Sequence, residues 1–449
     1  MKYLYIILIL MVSVLKSQTP TISENDAANF GLTRTSIPEW KQTGCLKRLN
    51  NIKVTKYINL VTDMGAIGDG NFDNTSILKN AIASAKIHNS GSDINNGFTV
   101  IFLPSGTYKL TNKVNIESNM LLQGESTYNT TLLFDFREKA DNGQELNIDY
   151  LSIYKKQNAG IENVYISRVK GNDYNDSNGL LTETSYSLSS VYVINIHGSQ
   201  DCWLKGIKSF KATSKHVQLS TCNNIEIRGC AFLDCTRSGP NGNGYGVVIS
   251  GISHHNLIED NVFYHLRHSM ILVDNSYFNV LGYNASFDPY TSQGLFGSNN
   301  WCGDVTFHGY HSDIVSNGPW SNLVEGNRLG TVHFDYTDLG GGAHGNGDLN
   351  NIFRNSATET GLRISQAWEN VSGDANINEN QNVMNNYFYC EDMIDLGPWA
   401  VDNDSPNLWA LNNITIEGIK KSENQEIYNW ISLYNEEKPE FLNVHLPPP

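Results

Sequence analysis

The feature that most constrains the fold is a short segment that recurs along the second half of the chain. In each copy an apolar residue is followed two or three positions later by Gly or Asn, and often by another apolar residue. The copies are marked by Cys230, Asn261, Asn284, Asn327, Asn355 and Asn386. Their spacing predicts a β-solenoid whose coil has on the order of 20–30 residues, with insertions in the longer intervals. Asn suits this position because its amide can hydrogen-bond to the same Asn one coil away, which predicts an internal ladder.

The amino-terminal residues are typical of a secretory signal peptide. Lys2 precedes an apolar run from Tyr3 to Leu15, and polar residues return at Lys16. This run is too short to span a bilayer, so we expect residues 1–18 to be a signal peptide. No later run approaches the length of a membrane span. The sequence therefore predicts export to the periplasm or the extracellular space, without a membrane span.

The remaining chain divides into three parts that differ in sequence pattern. Residues 19–60 are irregular and form a predicted N-terminal extension, residues 61–410 form the predicted β-helix, and residues 411–449 form a predicted C-terminal capping tail. One helix interrupts the β-rich pattern. The residues Asp73 to Thr75 resemble a helix cap, and the apolar residues after them fall on one helical face. The pattern predicts a helix over Asn74–His88.

Composition excludes several classes of protein. With 40% hydrophobic and 17% charged residues, most of the chain is expected to fold. The formal net charge is −15 and no basic block is visible, which argues against a nucleic-acid partner. The 7 cysteines lack zinc-ligand spacing. We predict that they are buried apolar residues, and their odd number leaves at least one unpaired.

Three segments resemble the pectate-lyase-like superfamily: Val61–Thr75 with the helix after it, Val100–Tyr108 and Leu121–Glu125. The resemblance implies an all-β fold, a single-stranded right-handed parallel β-helix with an N-terminal capping helix. It also implies an extracellular or periplasmic carbohydrate-active protein. The reaction is not fixed by the resemblance, because lyases, hydrolases, epimerases and phage tailspikes share this scaffold.

Residues at the same point of successive coils stack into columns, and one such column is rich in proton-active side chains. Counting back sixteen residues from Asn261, Asn284 and Asn327 gives Tyr245, His268 and His311. The same count from Cys230 gives Ser214, which precedes two basic residues. We predict that Tyr245, His268 and His311 are catalytic. The predicted substrate-binding residues are the basic side chains beside this column and one histidine in a glycine-rich loop: Lys215, His216, Arg267, His308 and His344.

These residue types suit β-elimination from a uronic acid. A cation pairs with the carboxylate, a base removes the proton at C5, and an acid protonates the oxygen that leaves C4. The sequence therefore predicts a carbon–oxygen lyase that acts on a uronate-containing polysaccharide or oligosaccharide, or dehydrates a terminal uronate. A glycoside hydrolase would need two carboxylates. No pattern selects a pair among the candidates, which are Glu259, Glu325, Asp304, Asp313, Asp335 and Asp338. A third alternative is a non-catalytic glycan-binding β-helix.

No cofactor is required by this chemistry. The spacing of His308 and His311 would suit two metal ligands, but no third ligand is indicated. Ca²⁺ would be compatible with an acidic cleft, although no ligand pattern points to it. The expected partner is an anionic polysaccharide or oligosaccharide, and the oligomeric state stays open.

Overall fold

The structure is a computed structural model that describes residues 39–49, 52–91, 94, 97–135, 149–169, 192–212, 214–235, 244–287, 304–308, 318–335, 350–353, 355–357, 362–365, 381–384, 386–388, 394–396, 408–411, 413–415 and 418–420. Two helices lie in this part of the chain, α1 (Leu46–Leu49) and α2 (Thr75–Asn89). All other regular elements are short strands.

The strands of the first coils are β1 (Lys56–Asn59), β2 (Asp69–Asp73), β3 (Thr99–Leu103), β4 (Gly106–Leu110), β5 (Val114–Asn115), β6 (Met120–Gly124), β7 (Thr130–Phe134), β8 (Asp149–Tyr154), β9 (Ala159–Glu162), β10 (Tyr165–Arg168), β11 (Tyr192–His197) and β12 (Trp203–Lys205). The middle coils contain β13 (Lys208–Ala212), β14 (Lys215–Ser220), β15 (Glu226–Arg228), β16 (Ala231–Cys235), β17 (Tyr245–Ser250), β18 (Leu257–Glu259), β19 (Val262–Tyr264), β20 (His268–Val273), β21 (Val280–Gly282), β22 (Ala285–Phe287) and β23 (Val305–His308). The last coils contain β24 (Leu323–Glu325), β25 (Arg328–Leu329), β26 (Val332–Asp335), β27 (Asn351–Phe353), β28 (Ser356–Ala357), β29 (Leu362–Ser365), β30 (Gln381–Met384), β31 (Tyr387–Phe388), β32 (Ile394–Leu396), β33 (Leu408–Leu411), β34 (Asn413–Thr415) and β35 (Gly418–Lys420).

These strands form three long sheets, and from β3 to β32 each coil contributes one strand to each sheet. Sheet A has the order β1-β3-β6-β9-β12-β15-β18-β21-β24-β27-β30-β33. Sheet B has the order β2-β4-β7-β10-β13-β16-β19-β22-β25-β28-β31-β34-β35, and sheet C runs from β5 through β8, β11, β14, β17, β20, β23, β26 and β29 to β32. Neighbouring strands pair in parallel, except that β35 folds back antiparallel on β34. The chain therefore winds A, B, C repeatedly as a parallel β-helix.

The marker asparagines form the predicted ladder at the turn between sheets A and B. The Asn261 side-chain amide donates to Asn284 Oδ1 at 2.9 Å, and Asn284 donates to Asn327 Oδ1 at 3.0 Å. The ladder continues through Asn355 to Asn386. A second ladder, which the sequence pattern did not reveal, joins sheets C and A through Asn256, Asn279, Asn322 and Asn350. Both ladders are buried and fix the register of the coils.

Helix α2 lies at the amino-terminal end of the solenoid. Its Leu78, Ala81, Ile82 and Ala85 are buried in the main core together with residues of the first coils. The first-turn amide of Thr75 donates to Asp73 Oδ1 at 2.9 Å, whereas the Asn74 side chain bonds to the backbone of Ile67. The predicted capping helix is thus confirmed, within one residue at each end. The Asn74 side chain stabilises the turn that precedes the helix, and it makes no hydrogen bond that caps the helix.

Residues 39–49 lie outside the coils, against sheet A and the turn that leads into it. The Trp40 indole donates to the Ser321 carbonyl at 2.8 Å, and the Gly44 amide donates to the His255 carbonyl. The amides of Cys45 and Leu46 both donate to Glu226 Oε2, at 3.0 and 2.8 Å. This part of the predicted extension is therefore bound to the β-helix by buried contacts.

The predicted all-β fold class is confirmed. The first strand begins at Lys56 and strands continue to Lys420, so the sheets extend slightly beyond the 61–410 range at both ends. The cysteines within the described residues are buried, as predicted: Cys45, Cys202, Cys222, Cys230 and Cys235. In the same part of the chain, no helix is long and apolar enough to cross a membrane. The predicted signal peptide, residues 1–18, lies outside the described residues.

Candidate functional site

The predicted column lies where the strands of sheet C begin. Tyr245 pairs with His268 on one side and with Lys215 on the other, and Lys215 pairs with Tyr192. Tyr192 in turn pairs with Asp149. Because neighbouring strands lie about 4.8 Å apart, adjacent column members can contact adjacent atoms of one sugar ring. Sequence reasoning missed Tyr192 and Asp149, because the marker pattern begins only at Cys230.

Tyr245, Arg267 and His268 form a contiguous group within this column. The Tyr245 and His268 rings are 5.2 Å apart between centroids. The Arg267 guanidinium lies 5.8 Å from the centre of the Tyr245 ring, and its Nη1 donates to the tyrosine hydroxyl at 3.4 Å. A cation at this position stabilises negative charge that develops on the phenol oxygen.

His268 is held by the next coil. Its Nδ1 lies 3.0 Å from Thr306 Oγ1, and the side chain is buried. A hydrogen bond to one ring nitrogen fixes the orientation and the tautomer of a histidine. Thr306 is therefore a positioning residue that the sequence pattern did not reveal, since it follows an insertion.

Lys215 provides the second cation of the column. Its Nζ lies 4.8 Å from the centre of the Tyr192 ring and donates to Gln218 Oε1 at 2.7 Å. Burial lowers the pKa of Lys215 to about 8, while the negative charge of Asp274 opposes that shift. An ammonium with a pKa in this range can bind an anion at neutral pH, and it can also exchange a proton.

His216 does not agree with its predicted contact to substrate. Its ring is fully buried, with Nδ1 2.7 Å from Ser209 Oγ and Nε2 2.9 Å from the Asp234 carbonyl oxygen. The ring also lies against Phe232 in the core. Burial lowers the pKa of His216 to about 4. Although it follows Lys215 directly, His216 lies in the interior, beside Ser209 and Phe232 of sheet B.

Of the three remaining predicted site residues, the structure describes only His308, and His308 does not join the group. His308 lies on strand β23 in register with Val273, at the far end of sheet C from His268. Five residues of strand correspond to about 16 Å. His311 and His344 lie outside the described residues.

The sixteen-residue count works in two coils and loses the register in the third. Met270 and Val305 are paired on neighbouring strands. Along the chain, however, more residues separate Val305 from its marker Asn327 than separate Met270 from its marker Asn284. The additional residues follow strand β23, between sheets C and A. Counting back from Asn327 crosses this insertion, so the count leading to His311 does not follow the strand pairing of sheet C.

Two of the carboxylates considered for hydrolysis, Glu259 and Glu325, lie elsewhere, on sheet A. Glu259 pairs with Gly282, and Gly282 pairs with Glu325, so one glycine separates the two acids. Both are buried. Glu259 Oε2 lies 2.6 Å from an Arg228 nitrogen, and Glu325 accepts a hydrogen bond from the Tyr283 hydroxyl at 3.1 Å.

Within the described part of the chain, no group of three or more His, Cys, Asp or Glu side chains is placed to hold a metal ion. The acids Asp69 and Asp73, which lie close together in the sequence, accept hydrogen bonds within local turns. Asp69 Oδ1 accepts the amides of Asn71 and Phe72, at 2.8 and 2.9 Å.

Comparison with known proteins agrees with this architecture. The model of a family described as rhamnogalacturonase A/epimerase, pectate lyase-like, matches residues 57–261. The resemblance to the pectate-lyase-like superfamily is confirmed. No curated protein sequence matches this chain.

Solved structures share its right-handed β-helix at low identity. An endo-xylogalacturonan hydrolase from Aspergillus tubingensis is 14% identical with a TM-score of 0.50, covering 80% of this chain and 95% of that one. An exopolygalacturonase from Thermotoga maritima is 11% identical with a TM-score of 0.49, covering 86% and 97%. The A-module of a mannuronan C-5 epimerase from Azotobacter vinelandii is 14% identical with a TM-score of 0.46, covering 80% and 94%. At these identities the likeness concerns the fold alone.

Proposed function

We propose that this protein is an exported carbon–oxygen lyase that cleaves a uronate-containing polysaccharide or oligosaccharide by β-elimination. The observation that carries the proposal is the register of Tyr245 with His268 and Lys215, with Arg267 at the tyrosine hydroxyl. Two proton-transfer groups and two cations thus meet within three coils. A surface that only binds glycan would not need proton-transfer groups in register.

The reaction assigns one task to each group. Lys215 or Arg267 pairs with the uronate carboxylate, which makes the C5 proton more acidic. Tyr245 and His268 act as the proton-transfer pair, in which one removes that proton and the other protonates the leaving oxygen. The electron pair of the C5–H bond forms the C4=C5 double bond while the C4–O bond breaks. The atoms therefore balance without a cofactor, an oxidant or water.

His311 supports the leaving oxygen in this proposal, and His344 contributes to substrate binding. These roles rest on the sequence alone. A leaving group that is hydroxyl at a terminal uronate instead of a sugar would make the same chemistry a dehydration.

A glycoside hydrolase is the second candidate. The observation in its favour is that Glu259 and Glu325 occupy one column of sheet A with Gly282 between them. Two rungs correspond to roughly 10 Å between their backbones, close to the carboxyl separation of about 6.5–9.5 Å in inverting enzymes. Against it, Glu259 is already engaged by Arg228, and Glu325 is engaged by the Tyr283 hydroxyl.

The test is a screen of uronate polymers and oligosaccharides with two readouts. β-Elimination gives an unsaturated uronate that absorbs at the ultraviolet edge, together with new reducing ends. Hydrolysis gives reducing ends without that absorbance, and a non-catalytic binding protein gives neither. We expect Tyr245→Phe and His268→Ala each to lower kcat by about 100-fold or more, the usual size of a general acid or base contribution. Near wild-type turnover in both variants, with folding unchanged, would place the site elsewhere.

A further inference from the structure

A row of apolar side chains runs along the outer surface of sheet B, which the proposed chemistry does not use. We define the sheet B stripe as Phe210, Leu233, Tyr264 and Phe287. These residues stand in register on the four successive strands β13, β16, β19 and β22. Tyr264 is 43% exposed and Phe287 is 38% exposed. Their inward-facing neighbours, Phe232 and Phe263, already fill the core, so the stripe is not required to build it.

Cationic side chains accompany the stripe at both ends. Arg328 lies over the Phe287 ring at 5.2 Å, and Lys211 lies over the Phe210 ring at 5.5 Å. Lys208, on the same strand as Phe210, lies 5.1 Å from the Tyr165 ring. The four strands carry a single acidic residue, Asp234. In a chain with a net charge of −15, this surface is locally basic.

We propose that the sheet B stripe binds an anionic glycan chain that lies across the strands. The class of glycan, a polyuronate, rests on the proposed function. Aromatic and aliphatic side chains stack against the apolar faces of sugar rings. Lysine and arginine pair with the carboxylates that a polyuronate carries on each residue. A neutral glycan would leave this positive charge unused.

The dimensions of the stripe fit a chain better than a compact ligand. Its four rungs extend over about 14 Å at an inter-strand spacing of about 4.8 Å. A second protein copy is a poorer match, because a stable interface buries roughly 800 Å² on each partner and the exposed rings offer far less. The glycan chain would thus contact successive coils through one ring or aliphatic group per coil.

The stripe also leads toward the proposed catalytic column. Strand β19, which carries Tyr264, is followed after three residues by β20, which begins at His268. The connecting residues include Arg267, the cation at the Tyr245 hydroxyl. A glycan anchored on the stripe would therefore lie beside the corner at which the column stands. This arrangement favours long chains over short ones.

The experiment measures retardation of the protein in native gels that contain polygalacturonate or alginate, with dextran as the neutral comparison. We expect both polyuronates to retard the wild-type protein and dextran to have no effect. Tyr264→Ala combined with Phe287→Ala should weaken retardation at least five-fold, and so should Arg328→Ala. Tyr264→Phe keeps the ring and should keep the retardation. Tyr128→Ala, which removes a 94% exposed tyrosine away from the stripe, is the matched control.

Failure of this inference and failure of the proposed function give different results. Retardation that depends on the stripe in a protein without lyase activity supports the stripe and removes the proposed function. Lyase activity with retardation that is equal in all variants overturns the stripe. The absence of retardation by either polyuronate also overturns it. A double variant that dissociates an oligomer in light scattering, with retardation unchanged, would assign the stripe to self-association and overturn glycan binding.

Discussion

At the scale of single residues, burial gives two neighbouring basic side chains opposite roles. Lys215 and His216 are adjacent on strand β14, yet Lys215 stands in the polar column and His216 is enclosed between Ser209 and Phe232. In both cases desolvation opposes the charged form and lowers the pKa. The consequence for Lys215 concerns activity, and the consequence for His216 concerns stability.

For Lys215 we predict a loss of activity as pH rises. Its pKa of about 8 means that the ammonium is lost at a lower pH than an ordinary lysine requires. If the cation binds the substrate carboxylate, kcat/KM falls above about pH 8. Lys215→Arg keeps the charge at any accessible pH and should move this fall to higher pH. A pH–rate profile measures the effect, and an identical basic limb in the variant would contradict it.

For His216 we predict a loss of stability as pH falls. Below its ordinary pKa of 6.5 the unfolded histidine takes up a proton, whereas the folded one stays neutral down to its pKa of about 4. The free energy of unfolding therefore decreases between these values, by about 3 kcal/mol at 1.36 kcal/mol per pKa unit. Unfolding of wild type and His216→Gln at several pH values isolates this contribution. The two proteins should differ in slope between pH 6.5 and pH 4, and parallel curves would refute the prediction.

At the scale of elements, side chains at the turns hold the coils together. After the first asparagine of each ladder, the side-chain oxygen of every ladder asparagine accepts two hydrogen bonds from the asparagine of the preceding coil. Asn261, for example, donates both its backbone amide and its side-chain amide to Asn284 Oδ1. Asn284 also donates to the Ile258 carbonyl and to Asn327. Such a residue satisfies several buried groups at once, so its loss leaves more than one of them without a partner.

We therefore expect Asn284→Ala to be strongly destabilising. An unsatisfied buried donor or acceptor costs about 1–3 kcal/mol, so the substitution should lower the free energy of unfolding by roughly 2–4 kcal/mol. Asn71→Ala is the matched control, because Asn71 is exposed and its side chain makes one weak contact, to the Asp69 carbonyl at 3.4 Å. Denaturant titrations compare the variants. Equal midpoints for the two would show that the ladder contributes little.

The segment over residues 39–49 depends on Glu226 in the same way. Its carboxylate accepts the amides of Cys45 and Leu46 and lies 3.0 Å from an Arg228 nitrogen. We predict that Glu226→Ala releases this segment and exposes Trp40, which is now fully buried. Limited proteolysis should then cut within residues 39–49 faster than in wild type. An unchanged cleavage rate would show that other contacts suffice.

At the scale of the whole molecule, the sequence repeat made the fold predictable. The insertions between coils limited how many residues of the candidate site could be predicted. The ladder asparagines revealed the coil because the same buried hydrogen bond recurs in each turn. The register of Tyr245 and His268 followed, since no insertion separates either from its marker. The count to His311 does not follow the strand pairing of sheet C, because additional residues enter after β23. Tyr192 and Thr306 carry no local signal, and only strand pairing brings them to the column.

The central claim is that the column on sheet C removes the C5 proton of a uronate. The most direct measurement is proton NMR of a polyuronate incubated with the protein in D₂O. β-Elimination predicts loss of the H5 signal and appearance of a vinylic H4 signal, at a much lower rate with Tyr245→Phe. Retention of H5 with new reducing-end signals would show hydrolysis and contradict the claim, and deuterium at C5 without a double bond would show epimerisation instead.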